Sequence, residues 1–514
     1  MDKEVAYLSA LFDKLSAIIN KVPAVLIVLI PLVLLYVSQN LNGNEEQYMQ
    51  LAKQYVNPDW IPESQNLSEI AGTRIIYQLI VGHTLQFLSF EMTVFLFRCL
   101  LILGFSIVLH KIYKKLSIDN FQVLLHLLFF LLIFGQSFFA GSWILVTVEP
   151  KGFSYLFVLL TFSFLLEKRF VLSLISIIAA SYFHVLVGGY SFAYLLLTLF
   201  IFRKDYNLSF KQLVLAATVY TILLTPMVIH LNTSSLAYVT ETNSEVSPSW
   251  IYTYFRSPHH TALFKSLPYF VTMHFIGILK CVVGLFVAIV MYPILKAKNN
   301  LMLINQFVIV SMIGTLLLIP IAFFDKEGSL LKFYLYRINT LSTFFLALLV
   351  PMYLYCVVKE EMLNTIKILS FVLCLLLFVE PSATKFLSNI NSFRKERNGL
   401  DDISAFIKNN TNPKSLIFSY NEPQSIIRKS ERSYFVTFKS VPAELAILNR
   451  WHQRVLEWTE VKKDPAKMKG LVDKYRIHYI LVPESKAELF NTYELIYQNV
   501  DFRLYETGVK VRSH

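Results

Sequence analysis

The chain has 514 residues, of which 55% are hydrophobic, 15% aromatic and only 16% charged. About a quarter of the residues of a soluble globular protein are charged, and with a mean hydropathy of +0.52 the composition excludes that class. The net charge of +12 would raise a nucleic acid partner in a soluble chain. Here lysine and arginine fall in short breaks between apolar runs, where they hold loops against anionic lipid, so we expect membrane lipid and no nucleic acid as partner. Cys99, Cys281, Cys356 and Cys374 all lie inside apolar runs, with no CxxC and no metal-ligand spacing, and read as small buried hydrophobes.

The expected fold class is a polytopic α-helical membrane protein of about 11 transmembrane helices with a C-terminal soluble α/β domain. Residues 1–21 have apolar positions at helical spacing and mixed charge, as an interfacial helix does. No small-residue cleavage site follows the first apolar run, so no cleaved leader is expected. The first span is 22–39. An outer loop over 40–87 follows, with an amphipathic helix from Glu46 to Tyr55 stopped by Asn57-Pro58, and a second helix over 66–82. Further apolar segments cover 88–110, 119–137, 153–166, 170–183, 189–202, 212–229, 269–294, 301–323, 338–358 and 364–380. The longer breaks are 138–152, a hydrophobic loop closed by Glu149, Pro150 and Lys151, and the polar 230–268 and 324–337.

Charge orients these segments. With the N-terminus in the cytoplasm, the breaks after even-numbered spans carry KIYKK, EKR, RKDYNLSFK and KAK. The positive-inside rule then puts the loops at 40–87, 138–152, 230–268 and 324–337 on the outer side, with the C-terminal domain. Residues 1–394 form the expected transmembrane domain. From 395 the composition becomes that of a soluble protein. Segments 414–419, 433–438, 477–483 and 501–506 read as strands, and 399–410, 442–459 and 464–475 as helices. Their alternation gives an α/β domain over 395–514, with no GxGxxG and no Walker A motif.

The candidate chemistry gathers on the outer breaks. Glu45 and Glu46 follow the first span directly; a carboxylate there can take a proton from an acceptor hydroxyl, or simply favour the dipole of the short helix it begins. Glu149 stands beside Pro150 and Lys151, and an ionisable pair at membrane depth is costly. His184 interrupts the apolar run SYFHVLVGGY, as a ligand-facing group or an interhelical hydrogen bond. Arg256, His259 and His260, in FRSPHH, form a cationic cluster suited to phosphate. The paired histidines also suit a metal, but no carboxylate stands at regular ligand spacing. Lys332, Tyr336 and Arg337, in KFYLYR, can clamp a lipid phosphate or serve as interfacial anchors. In the soluble domain Arg432, Trp451 and Arg454 read as a sugar-stacking, acceptor-binding surface or as domain core.

An acidic loop after the first span, a second acid in the next outer loop, many spans and a C-terminal outer domain together resemble the GT-C superfamily of membrane glycosyltransferases. NEEQYMQLAKQYVNPDW, VEPKGFSY, FHVLVGGY, FRSPHH and IIRKSERSYFVTFKS also resemble a bacterial multi-pass GT-C-like family. The resemblance implies an inverting enzyme in the bacterial inner membrane. It would move a sugar from a polyprenyl-phosphate donor to a cell-envelope glycan, lipid or protein acceptor on the outer face. Glu45 or Glu46 would act as base and Glu149 as second acid, with Arg256, His259, His260 and Arg337 on the donor phosphate. Family members often carry aspartate where this chain has Glu45-Glu46, which leaves the choice between the two open. A divalent metal, Mg or Mn, is left open beside the acids. The rival expectations are a lipid-pyrophosphate-dependent glycan polymerase or ligase, and a polytopic transporter or flippase; no internal repeat supports the latter.

Overall fold

The computed structural model describes residues 16–62, 74–145, 147–236, 246–296, 299–357, 383–394, 398–422, 424–442 and 445–510, with a few isolated positions besides. Four helical segments are long and apolar enough to cross a membrane: Phe90–Lys115, Phe210–His230, Leu267–Leu295 and Leu301–Phe324. Shorter apolar helices cover Ala24–Tyr36, Asn120–Leu132, Pro150–Leu166, Phe170–Phe183, Val185–Ile201 and Asn339–Leu354. These correspond in order to the first ten expected segments. The shorter ones fall below the length of about 20 residues that a straight crossing needs. The expected segment at 364–380 lies outside the described residues.

The chain divides into two compact units. The first comprises residues 1–39, 95–227 and 252–391, and holds most of the apolar helices. They are α1 (Ala24–Tyr36), α4 (Phe90–Lys115, which begins in the other unit), α5 (Asn120–Leu128), α6 (Pro150–Leu166), α7 (Phe170–Phe183), α8 (Val185–Ile201), α9 (Phe210–Leu236), α10 (Ile276–Lys296), α11 (Asn299–Leu317) and α12 (Asn339–Val357). Between apolar helices, buried polar groups must find partners on their neighbours. His126 of α5 does so twice: its Nε2 lies 3.1 Å from the Phe344 carbonyl of α12, and its Nδ1 lies 2.7 Å from the Tyr113 hydroxyl of α4. A carbonyl only accepts, so Nε2 carries the proton and Nδ1 accepts from the tyrosine. Ser311 and Ser342 join α11 to α12 in the same way, 2.7 Å apart.

The break at His184 is a turn of one residue. His184 is extended (φ −156°, ψ 101°) and both ends α7 and begins α8. Gly188 then lies directly against Ser181; a Cβ at Gly188 would stand 2.4 Å from the Ser181 nitrogen and 2.5 Å from its Cα. Only a residue without a side chain fits there, and the turn holds His184 at the junction.

The second unit comprises residues 40–94, 228–251 and 392–514. Its C-terminal part is a five-stranded sheet of β1 (Leu416–Ser419), β2 (Ser433–Tyr434), β3 (Tyr479–Pro483), β4 (Glu494–Gln498) and β5 (Phe502–Glu506), in the order β2-β1-β3-β5-β4. β1 is parallel to β2 and β3, whereas β5 is antiparallel to β3 and β4. The helices are α13 (Gly399–Asn410), α14 (Gln424–Ser430), α15 (Leu445–Lys463) and α16 (Met468–Tyr475). The crossovers after β1 and β2 are helical, as parallel strands require.

The loop after α1 belongs to this unit. It forms α2 (Gly43–Val56) and α3 (Ile75–Phe87). Leu51, Ile61 and Leu67 bury themselves in one core with Ile403, Ile407, Ile417, Ile426, Ile427, Tyr434, Leu481 and Leu504. Burial of such side chains is worth roughly 1.5–3 kcal/mol each, which binds the acidic loop to the domain more firmly than charge alone would.

Three local expectations need correction. The strand expected over 433–438 stops at Tyr434, because side chains replace the ladder: Arg454 donates to the Phe435 carbonyl at 3.1 Å and the Trp451 indole donates to the Thr437 carbonyl at 2.8 Å. β4 is an additional strand, short and half exposed at the sheet edge. α14 is an additional helix, at seven residues too short to show a helical period in sequence.

Gly188→Ala is expected to lower unfolding stability by about 1–3 kcal/mol through overpacking. Gly189→Ala, whose added carbon meets only the Tyr220 hydroxyl at 3.9 Å, is expected to be tolerated. Thermal unfolding of the two purified variants in the same detergent separates these outcomes.

Candidate active site

In the second unit the two acids of the opening loop lie at the start of α2. Asn42 caps the helix: its side chain accepts from Asn44 N at 2.9 Å and Glu45 N at 3.0 Å, and Glu45 Oε2 accepts from Asn42 N at 2.8 Å. This reciprocal capping box uses an oxygen of Glu45 and leaves the residue wholly buried. Glu46 faces elsewhere. Arg428 of α14 grips it bidentately, Nε to Oε2 at 2.9 Å and Nη2 to Oε1 at 3.0 Å, and donates from Nη1 to Glu91 Oε1 at 2.6 Å. Gln50 Nε2 lies 3.2 Å from Glu46 Oε2 and 2.7 Å from the Gln424 carbonyl. Burial works against the charge on Arg428, but Glu46 and then Glu91 outweigh it and raise the guanidinium pKa above its ordinary value.

A separate cluster forms in the first unit, where Glu149 precedes α6. Glu149 is 1% exposed. Its Oε1 accepts from the Trp143 indole at 2.8 Å and from the Thr147 hydroxyl, and lies 3.5 Å from Lys151 Nζ. Lys151 in turn sits 3.8 Å over the Trp143 ring, where the π face favours a cation. The loop can fold this tightly onto the helix because Gly152 has no Cβ; one would stand 2.4 Å from the Thr147 carbonyl oxygen.

Arg337, His184 and His260 surround this cluster with cations and imidazoles. Arg337 Nη1 lies 3.0 Å from His184 Nε2, and His184 Nδ1 accepts from the Val187 backbone N–H at 3.4 Å as the cap of α8. The Arg337 guanidinium stacks 4.4 Å from the Tyr334 ring, and Tyr334 adopts a left-handed backbone (φ 55°), a conformation that non-glycine residues rarely take and that gathers at functional sites. His260 packs against Tyr334 and donates from Nδ1 to the Ala140 carbonyl at 3.0 Å. Burial first, then His259, Arg337 and Lys151, lowers the His260 pKa to about 3, against the hydrogen bond to Ala140. Tyr155 of α6 is buried in the same unit. Glu149, Lys151, His184, His260 and Arg337 thus come together in one unit, and sequence reasoning missed the residues that seat them: Trp143, Thr147 and Tyr155.

The other expected residues have contacts of their own or serve the fold. His259 stacks 4.0 Å from His260 at the surface, and Arg256 ends a π-helical turn over Ile251–Arg256. Lys332 lies 5.4 Å over Phe333. Tyr336 is 1% exposed and donates to the Leu318 carbonyl at 3.3 Å. In the soluble domain Arg432 is spent on the carbonyls of Lys408, Thr411, Ser430 and Glu431. Trp451 is 3% exposed, and Arg454 lies against Phe435 and Tyr475. Of the two readings open for these residues, the contacts are those of domain core, with Trp451 and Arg454 donating to the irregular 435–438 backbone and Arg432 to the 408–411 and 430–431 carbonyls. Among the described residues no group of three or more His, Cys, Asp or Glu side chains is arranged to hold a metal ion.

No protein-family model and no curated protein matches the chain. Among solved structures, ArnT from Cupriavidus metallidurans in the apo state is similar over 96% of this chain and 97% of that one, at 11% identity and a TM-score of 0.38. A likeness that loose transfers neither a residue correspondence nor an activity.

Replacing Arg428 by Met leaves the buried Glu46 without its bidentate partner and is expected to cost about 3 kcal/mol of stability, read by thermal unfolding. His260 gives a pH signature. Its folded pKa of about 3 lies below the ordinary 6.5, so the unfolded chain binds the extra proton first. The stability it contributes is complete above pH 6.5 and is lost progressively as the pH falls toward 3. Melting temperatures of His260→Asn are therefore expected to vary less than those of the native chain as the pH is lowered across that window.

Proposed function

We propose that the chain is a GT-C-type membrane glycosyltransferase. It moves a sugar, with inversion, from a polyprenyl-phosphate donor to a cell-envelope glycan, lipid or protein acceptor at the outer face of a bacterial inner membrane. One observation carries the reading: a buried carboxylate, Glu149, shares a site with Lys151 and Arg337 and with two imidazoles, those of His184 and His260. An acid among cations suits a reaction in which a hydroxyl loses a proton while a phosphate departs.

The chemistry would run as follows. The acceptor oxygen bonds to the anomeric carbon as the bond from that carbon to the lipid phosphate breaks. A carboxylate takes the hydroxyl proton, and the charge that develops on the phosphate is met by Arg337 and Lys151. Such preorganised electrostatic stabilisation is usually the largest single term in catalysis. Glu149 is the first choice as base. Glu45 and Glu46 remain the pair pointed to by the family resemblance, but Arg428 already engages both oxygens of Glu46, and Glu45 closes the helix cap.

Transfer from a panel of polyprenyl-phosphate sugars by the purified full chain tests this. Glu149→Gln and Arg337→Ala are each expected to lower the rate at least about a hundredfold, with folding checked by melting temperature. Full activity in Glu149→Gln together with loss in Arg337→Ala would replace the reading with a lipid-pyrophosphate-dependent polymerase or ligase. Absence of transfer from every donor would remove it.

A further inference from the structure

A second polar site lies where α8 ends. There the chain forms a short 3-10 turn over Arg203–Tyr206, and a cavity of about 470 Å³ opens between this turn and Tyr292 of α10. Arg203 and Lys204 line it together with Phe200, Phe202 and Asp205. The acid is already engaged: Asp205 Oδ2 accepts from Gln306 Nε2 at 2.9 Å, and the Tyr206 hydroxyl holds the amide oxygen of the same glutamine. The cations are not. Arg203 lies 5.8 Å over the Phe200 ring, and neither Arg203 nor Lys204 has an ion-pair partner among the described residues. Beside the cavity Phe200 and Ile201 are 44% and 54% exposed, which for an apolar helix in a membrane is the surface presented to lipid chains.

Two unpaired cations at a concave site, bordered by a lipid-facing apolar edge, match a phosphate carried on an acyl chain. We propose that this cavity binds the phosphate group of an anionic ligand, and that its source is the headgroup of an anionic membrane lipid. Cations at the end of a helix also offset its dipole, but that role needs neither a cavity nor a phosphate. The inference does not depend on the proposed transferase activity.

The test uses the full chain in phosphatidylcholine nanodiscs with and without phosphatidylglycerol, read by melting temperature and by lipid retained in native mass spectrometry. Phosphatidylglycerol is expected to stabilise the native chain and to be retained. Each basic residue near a charged headgroup contributes a similar increment, so R203Q/K204Q is expected to retain it roughly thirtyfold more weakly. Its melting temperature in pure phosphatidylcholine should be unchanged. Tyr292→Trp, which fills the cavity and keeps both cations, should also reduce retention, and it serves if the double variant fails to fold. K168Q/R169Q, at another helix end, should behave as the native chain. A shift produced equally by soluble glycerol phosphate keeps the phosphate site but overturns the lipid source. No stabilisation of the native chain, or equal loss in both double variants, overturns the site itself.

Discussion

One guanidinium ties the second unit together. Arg428 reaches Glu46 at the start of α2 and Glu91 at the start of α4, residues that sequence separates by hundreds of positions. Burying the Arg428–Glu46 pair is expensive, and a hydrophobic pair of similar shape is often as stable. What the ions add is direction: a fork with five donors accepts only one arrangement of two carboxylates. The apolar core around Leu51, Ile61 and Ile427 supplies the adhesion, and Arg428 sets the register in which α2 is held. The acidic loop is therefore an integral part of the domain that closes the chain.

The first unit answers a different constraint. Polar atoms among apolar helices need partners, and His126, Ser311 and Ser342 find them one at a time. Around Glu149 the partners are concentrated instead. An indole, a hydroxyl and an ammonium converge on one carboxylate oxygen, while Arg337 rests on a tyrosine held in an unfavourable backbone region. A rarely populated backbone conformation and charges of both signs thus occur within one unit.

Much of this was legible in the order of residues. The stop at Asn57-Pro58 was legible because termination is local; the helix expected from Glu46 runs over Gly43–Val56 and begins three residues earlier, at the Asn42 cap. The break at His184 was visible as a polar residue in an apolar run. For Trp451 and Arg454 the sequence left two readings open for the opposite reason: whether an aromatic or a cation faces solvent or its own backbone depends on partners brought by distant segments, and FVTF has the composition of a strand even where indole and guanidinium take the place of its ladder.

The sequence by itself determined which stretches are apolar helices, where the composition turns from apolar to mixed and which acids and cations stand at helix ends, because periodicity, capping and charge bias act over a few residues. Tertiary structure alone decided that Glu46 belongs to Arg428, that Glu149 pairs with Lys151 and His184 with Arg337, and that Asp205 has its partner while Arg203 and Lys204 have no ion-pair partner among the described residues. Most of those pairings are set by packing between segments far apart in the chain, where geometry selects among many residues of suitable charge.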